Sequence, residues 1–401
     1  MDRKKRRSAL IICAVMAAVS ALLLLLPDRF LTQYSLIPRE QVRIDTVDNT
    51  ALYPVGIVYT GAQTCRVTVL TGTYAGESAE AGNYLNSALD KDKLFTAGDV
   101  AYAMVQRSEG ALRITLIDHY RAGTELWILG ALALGLIGFG GVVGSGALVS
   151  LAASAVIIWK LLIPLLLDGV NPVLASLVTV LALTAIIDVL VAGFTRRCAV
   201  ALLGSLAGTA TTFLLAVLLT GVLRLDGGDI PYVVPLLAQS SMTVDTRGLF
   251  VGMMFIANSG ALMDLSMDIS VACEEIHRHC PTLAPRELLK SGLTVGRGVL
   301  GTMATTLMLA YSGNYLSMLM YFAGQGTPIG DIVNLKYVAS QLLNTLVGSF
   351  GLVATAPLSA LIAAAVYPRG AGRRANVPQR RGVRRLAAPP PAPAEAGAAV
   401  P

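Results

Sequence analysis

Charge is scarce in this chain. Only 14% of its 401 residues are Asp, Glu, Lys or Arg, against about 25% in an ordinary soluble protein, which excludes a solvated surface over most of its length. Cysteine is sparse as well, with five in all. Only Cys65 falls in the segment read below as lying outside, so an internal disulfide there is excluded. Enzyme signatures are missing: there is no phosphate-cradling Gly-rich loop ending in Lys-Ser/Thr, no His-Glu-x2-His and no Gly-x-Ser-x-Gly. No platform of interleaved basic and aromatic residues exists either, which removes nucleic acid as a partner. The formal charge of +6 comes from two short clusters, Arg3 to Arg7 and Arg369 to Arg385, which read as topology signals. No cofactor is implied.

What fills the chain instead is apolar: 54% of residues are hydrophobic. The expected fold class is a membrane all-α multi-pass helical bundle, with the lipid bilayer as its first partner. Ser8 to Leu26 is an unbroken apolar run behind Arg3 to Arg7, close to the ~20 residues needed to span a bilayer. No small-x-small cleavage site follows it, so residues 1–26 read as a cytoplasmic basic N-terminus and an uncleaved anchor. Residues 27–124 are polar, with alternating runs at Val55 to Thr60, Cys65 to Thr71, Val100 to Val105 and Leu112 to Ile117 separated by Gly and Asp. Such period-two runs predict a small extracytoplasmic β-domain, a barrel of the OB or SH3 size.

Residues 125–367 read as a polytopic helical domain. Its apolar segments lie at Leu126 to Val143, Ala147 to Leu167, Pro172 to Gly193, Ala199 to Leu223, Leu249 to Cys273, Leu293 to Ser312 and Gln341 to Tyr367. With the anchor they make about eight crossings. Alternating them puts Arg196, Arg197, the stretch Glu274 to Lys290 and the basic tail on the cytoplasmic side, which obeys the positive-inside bias. Both termini are then cytoplasmic. Tyr315 to Ala323 is too short to span, so Asn314 to Lys336 is expected to be re-entrant or surface-lying. Residues 368–401 read as a basic, then Ala/Pro-rich disordered tail.

Ionisable residues inside such helices are candidate functional groups by default, because lipid penalises them. Asp264 and Asp268 are four residues apart and share one helix face with Gly260, Ala261 and Ala257. Counting at 1.5 Å per residue puts Asp264 roughly 14 Å in from Cys273, Arg297 about 10 Å in from Lys290 and Asp188 about 12 Å in from Arg196. These groups, with Asn258 above them, are expected to meet at one level, Arg297 facing the carboxylates. Two functions fit. One is a transporter or permease in which an ion, proton or small solute loads on Asp264; the other is a structural or assembly protein in which the Asp/Arg pair only locks helices. A protease dyad of Asp264 and Asp188 conflicts with a facing arginine, which would oppose the shared proton. The pairs Gly140-x3-Gly144, Gly204-x3-Gly208 and Gly292-x3-Gly296 predict close helix packing. Lys160 is expected to snorkel to the outer interface. Cys273, His277, His279 and Cys280 match no usual zinc spacing, so no metal is expected.

Several stretches resemble the YibE/F-like family of bacterial membrane proteins. They are Ile117-Asp118-His119-Tyr120-Arg121, Ile163-Pro164 with Gly169 and Asn171-Pro172, Gly260-Ala261-Leu262-Met263-Asp264, and Val295 to Met303 followed by Thr306-Leu307 and Leu309-Ala310-Tyr311. The similarity spans about Pro54 to Tyr367. What the resemblance implies is a multi-pass membrane protein with no established activity. A homo- or hetero-oligomer with a related membrane protein, and a small solute or ion, are the further partners expected. The family pattern has an acid after the motif arginine, where this chain has Gly298, and a serine where it has Asp268.

Overall fold

The computed structural model describes residues 3–27, 37–108, 110–238 and 244–368. The expected tail at 368–401 lies almost wholly outside the described residues. Helix α1 (Arg3–Leu24) leads into a five-stranded antiparallel sheet. Its strands are β1 (Arg39–Val55), β2 (Val58–Val69), β3 (Ser78–Asn86), β4 (Val100–Ser108) and β5 (Ala111–His119), in the order β3-β2-β1-β4-β5. The edge strands β3 and β5 touch, so the sheet coils toward a partly open barrel of the expected size. Alternation drives it: Val42, Ile44, Cys65, Val67, Ala101, Ala103 and Val105 are fully buried while their neighbours face out. The run Val55 to Thr60 is not one strand. It straddles the β1–β2 turn, where Gly56 takes φ +63°.

The helical part follows after a two-residue link: α2 (Ala122–Ile157), a π-helical turn (Ile158–Leu162), α3 (Ile163–Leu167), α4 (Pro172–Ala192), α5 (Arg196–Val222), α6 (Val233–Ala238), α7 (Thr246–His279), α8 (Pro285–Asn314), α9 (Leu316–Gly324), α10 (Ile329–Asn334) and α11 (Lys336–Val366). Among the described residues six helical stretches are long and apolar enough to cross a membrane, the first being Ala122–Leu167 as a single run of 46 residues. Straight, that run would reach about 69 Å, roughly twice a bilayer's ~30 Å hydrocarbon core. It is not straight. At Gly141 the backbone leaves the helical region (φ 55°, ψ −124°), and Gly144 is brought so close to the Leu136 carbonyl oxygen that a Cβ would lie 1.8 Å from it. The apolar segments expected on either side of this point are therefore the two legs of one fold-back. Asn314 to Lys336 holds only the short α9 and α10.

Local chemistry sets the helix starts. Asn171 caps α4 by accepting from the Val173 and Leu174 amides, with Pro172 at the first helical position, so the Asn-Pro pair is a helix start signal. Thr195 caps α5 and Asp245 caps α7 in the same way. Lys160, in the π-helical turn, donates to the Leu26 carbonyl at 2.9 Å and so fastens the end of α1 to this segment.

The bundle's core is an antiparallel seam of α5 and α11. Added Cβ atoms at Gly204, Gly208 and Gly351 would meet Ser359, Thr355 and Thr212 hydroxyls at 2.2, 1.9 and 2.2 Å. Since lipid tails are as apolar as leucine, such close approach and hydrogen bonds between helices, rather than hydrophobic burial, hold helices together in a membrane. Ser266 of α7 donates to the Ala201 carbonyl at 2.6 Å and accepts from Ser359. Helix α8 docks onto α7 and α11 through Gly292 and Gly296.

Candidate functional site

Helix α7 packs against α4, α5, α8 and α11, and one stripe is left uncovered: Met253, Ala257, Gly260, Asp264, Asp268 and Val271. The steps of three and four residues make this a single helix face. Asp188 of α4 is 1% exposed, and its Oδ2 has no hydrogen-bond partner. It lies within electrostatic reach of Asp264, which is within reach of Asp268. Asp188 and Asp264 are therefore near each other across the α4–α7 contact, one buried and one uncovered, and Asp268 follows Asp264 one turn along α7.

Arg297 is placed differently from the expectation. Ile269 reaches to 3.2 Å of a Cβ built on Gly296, and Cys273 to 2.9 Å of one on Gly292, which sets the α7–α8 register. Arg297 is thus level with Asp268, and Asp264 lies a turn farther in. Its side chain is exposed and forms no hydrogen bond or ion pair with Asp188, Asp264 or Asp268 among the described residues. The reason is rotational: the face of α8 that docks is the one through Leu288, Gly292 and Gly296, and Arg297 stands off it.

Asn258 is also drawn away from the acids. It is fully buried and turned inward, donating to Asn344 of α11 at 3.0 Å and accepting from Tyr311 of α8 at 3.1 Å, while Gly348 leaves room for it. It is a satisfied polar tie between three helices. The six residues from Asn258 to Asp264 turn the helix to a different face. Sequence reading gave no role to Asn344, Ser266 or Ser359; the four-residue rows Gly204, Gly208, Thr212 and Thr355, Ser359 were the signal that a polar seam runs through the core.

The four Cys and His side chains separate. Cys273 is buried against Gly292, His277 stacks on Tyr367 at 6.3 Å, His279 bonds Glu275 at 2.9 Å, and Cys280 is exposed. Among the described residues no three His, Cys, Asp or Glu converge as metal ligands. A largely apolar cavity of about 440 Å³ lies at the other end of the bundle, between α3, the start of α4 and the start of α7. It is remote from the carboxylates.

The sequence model described as YibE/F-like protein matches residues 128–369. The chain belongs to the YibE/F-like family. The match runs from the first turns of α2 to just past α11, so it contains Asp188, Asp264, Asp268 and Arg297. It leaves out the β-sheet and the Ile117 to Arg121 stretch, a narrower span than the resemblance suggested. No curated protein and no solved structure matches the chain. Family membership and the apolar helices together make this a membrane protein.

Proposed function

We propose that this chain is a transporter or permease-like membrane protein that moves a proton or small cation along the Asp188, Asp264 and Asp268 row. One observation carries the reading: among the described residues Asp188 is a buried carboxylate whose Oδ2 has no hydrogen-bond partner and which forms no ion pair, within electrostatic reach of a second carboxylate, Asp264. An ionised carboxylate in a low-dielectric interior needs a counter-charge or a proton, and carboxylates in series offer a carrier ion successive stations. In this reading the chain crosses eight times, with α1 as the first span and Ala122–Leu167 folded into two at Gly141. Arg196, Arg197 and the Glu274 to Lys290 stretch face the cytoplasm, and the β-sheet stands on the opposite side, where it receives or gates the solute.

The test is flux in proteoliposomes with an imposed proton or cation gradient. Asp188→Asn and Asp264→Asn are each expected to reduce flux at least tenfold with the protein still folded. Unchanged flux in both variants defeats the proposal. Among the described residues the packing-lock alternative lacks the Asp264/Arg297 pair that would act as the lock. The facing cation that argued against a proton-sharing Asp188/Asp264 hydrolase is likewise no neighbour of either residue, so peptide cleavage by the same proteoliposomes is the control: cleavage without flux would replace this reading.

A further inference from the structure

Glycines in this bundle fall into two groups. Gly204, Gly208, Gly292, Gly296, Gly348 and Gly351 point inward, and an added Cβ at each would collide with or press on a neighbouring helix. Gly260 of α7 and Gly298 and Gly301 of α8 meet nothing within 4 Å. On α8 the exposed positions include one polar and small-residue face, Thr294, Arg297, Gly298, Gly301, Thr302 and Thr305, beside exposed apolar residues such as Met308 and Leu309. On α7 the open stripe holds Gly260, Asp264 and Asp268. A membrane helix that turns an arginine, threonines and bare backbone outward, beside another that turns out two carboxylates, presents a face that hydrocarbon does not solvate.

The face carries both signs of charge, and their heights match. The Ile269–Gly296 contact puts Asp268 and Arg297 of one copy at the same depth. A two-fold axis along the membrane normal preserves depth, so it brings Arg297 of each copy level with Asp268 of the other. Such an interface is self-complementary and closed, and glycine and threonine allow the close helix approach that membrane association requires. We infer that the open α7–α8 face is a homodimer interface, in which Arg297 of each copy pairs with Asp268 of its partner across bare-backbone contacts at Gly298 and Gly301. The partner then supplies a cation that Asp268 lacks among the described residues of its own chain, and covers Asp264 and Asp268 from lipid. The inference stands on packing and charge alone and does not depend on transport.

The experiment uses full-length protein in lipid nanodiscs, with particle mass read against a chain of 41.9 kDa. Wild type is expected as two copies. Asp268→Arg alone and Arg297→Asp alone each place like charges across the interface and should weaken the dimer by about tenfold or more in dissociation constant. Co-expression of the two singly substituted chains with different tags should restore a mixed dimer, because each contact then regains opposite charges; a same-chain pair gives no such rescue. In a Cys280→Ser background, Gly301→Cys should form a disulfide between copies. Wild type found as single copies, single variants that dimerise like wild type, or Gly301→Cys labelled freely by a water-soluble maleimide without cross-linking would each overturn the inference. None of these readouts involves flux, so failure here and failure of the transport reading are separable.

Discussion

At the scale of single residues, the bundle distinguishes positions of the same type by what they meet. Gly208 and Gly301 both belong to small-residue rows, yet only Gly208 faces a neighbouring side chain within its own chain, the Thr355 hydroxyl. Gly208→Leu is expected to destabilise by about 1–3 kcal/mol through overpacking. Gly301→Ala should leave the thermal midpoint of the monomer unchanged in detergent. Equal loss from both would mean that the α8 face is packed within the chain. Asp188 and Asp264 were legible as isolated acids in apolar runs. The inward turn of Asn258 was not, because a 3.6-residue period tells which residues share a face but not which face a neighbour covers. Arg297 failed to meet Asp264 for the same reason, compounded by a one-turn register difference that counting from the helix ends does not resolve.

At the scale of elements, apolar runs located the helices well: α7 and α8 contain the expected spans and extend beyond them, and α4, α5 and α11 each stop one residue short of the expected C-terminal end. Strands were harder. In β1 the buried Val42 and Ile44 alternate with charged Arg43 and Asp45, then bulges interrupt the period. In β3 the buried residues are Ala81, Asn83 and Leu85, with Ala79 packed against the same core, too weak a pattern to stand out. Asn83 sits in that core because Gln63 and the Lys93 carbonyl satisfy it.

The sheet should be acid-sensitive. A hydrogen bond from the Thr68 hydroxyl at 2.5 Å, with Arg43 beside it, holds the Asp45 carboxyl below its usual range. Arg121 does the same for Asp118, and the Thr50 amide for Asp48. A depressed folded-state value contributes stability above the unfolded value of about 3.9, and that contribution is lost as pH falls through the folded value. Hydrogen exchange of the sheet amides is expected to stay flat from about pH 8 to 5, corrected for intrinsic rates, and to accelerate below about 4. Thr68→Val should shrink that acid step, and an unchanged step would remove Asp45 from the explanation. Cys65, whose thiol burial pushes up to about 11, should resist alkylation at pH 8 until the sheet opens.

At the scale of the whole molecule, what the sequence could not show is which helices neighbour which. The order α4, α5, α11, α8 around α7 follows from small-residue contacts between segments distant in sequence, such as Gly252 with Ser176 and Ser266 with Ser359, and it is this arrangement that leaves the carboxylate stripe uncovered. The fold-back at Gly141 belongs to the same scale. Its ψ of −124° at positive φ lies outside the left-handed well open to other residues, so Gly141→Ala should cost about 1–3 kcal/mol, read as a lower unfolding midpoint. A midpoint equal to wild type would mean that the turn relaxes into a continuous helix.

That turn also bears on how the chain enters a membrane. Residues 126–159 contain no charged side chain, and the reversal occupies a single residue, so no polar loop marks where the first leg ends and the second begins. A translocation channel reading this stretch in order meets nothing at which to release the first leg alone. The two legs are expected to leave the channel together as a preformed hairpin, after both have emerged from the ribosome, with their orientation set by the groups at the open end of the hairpin.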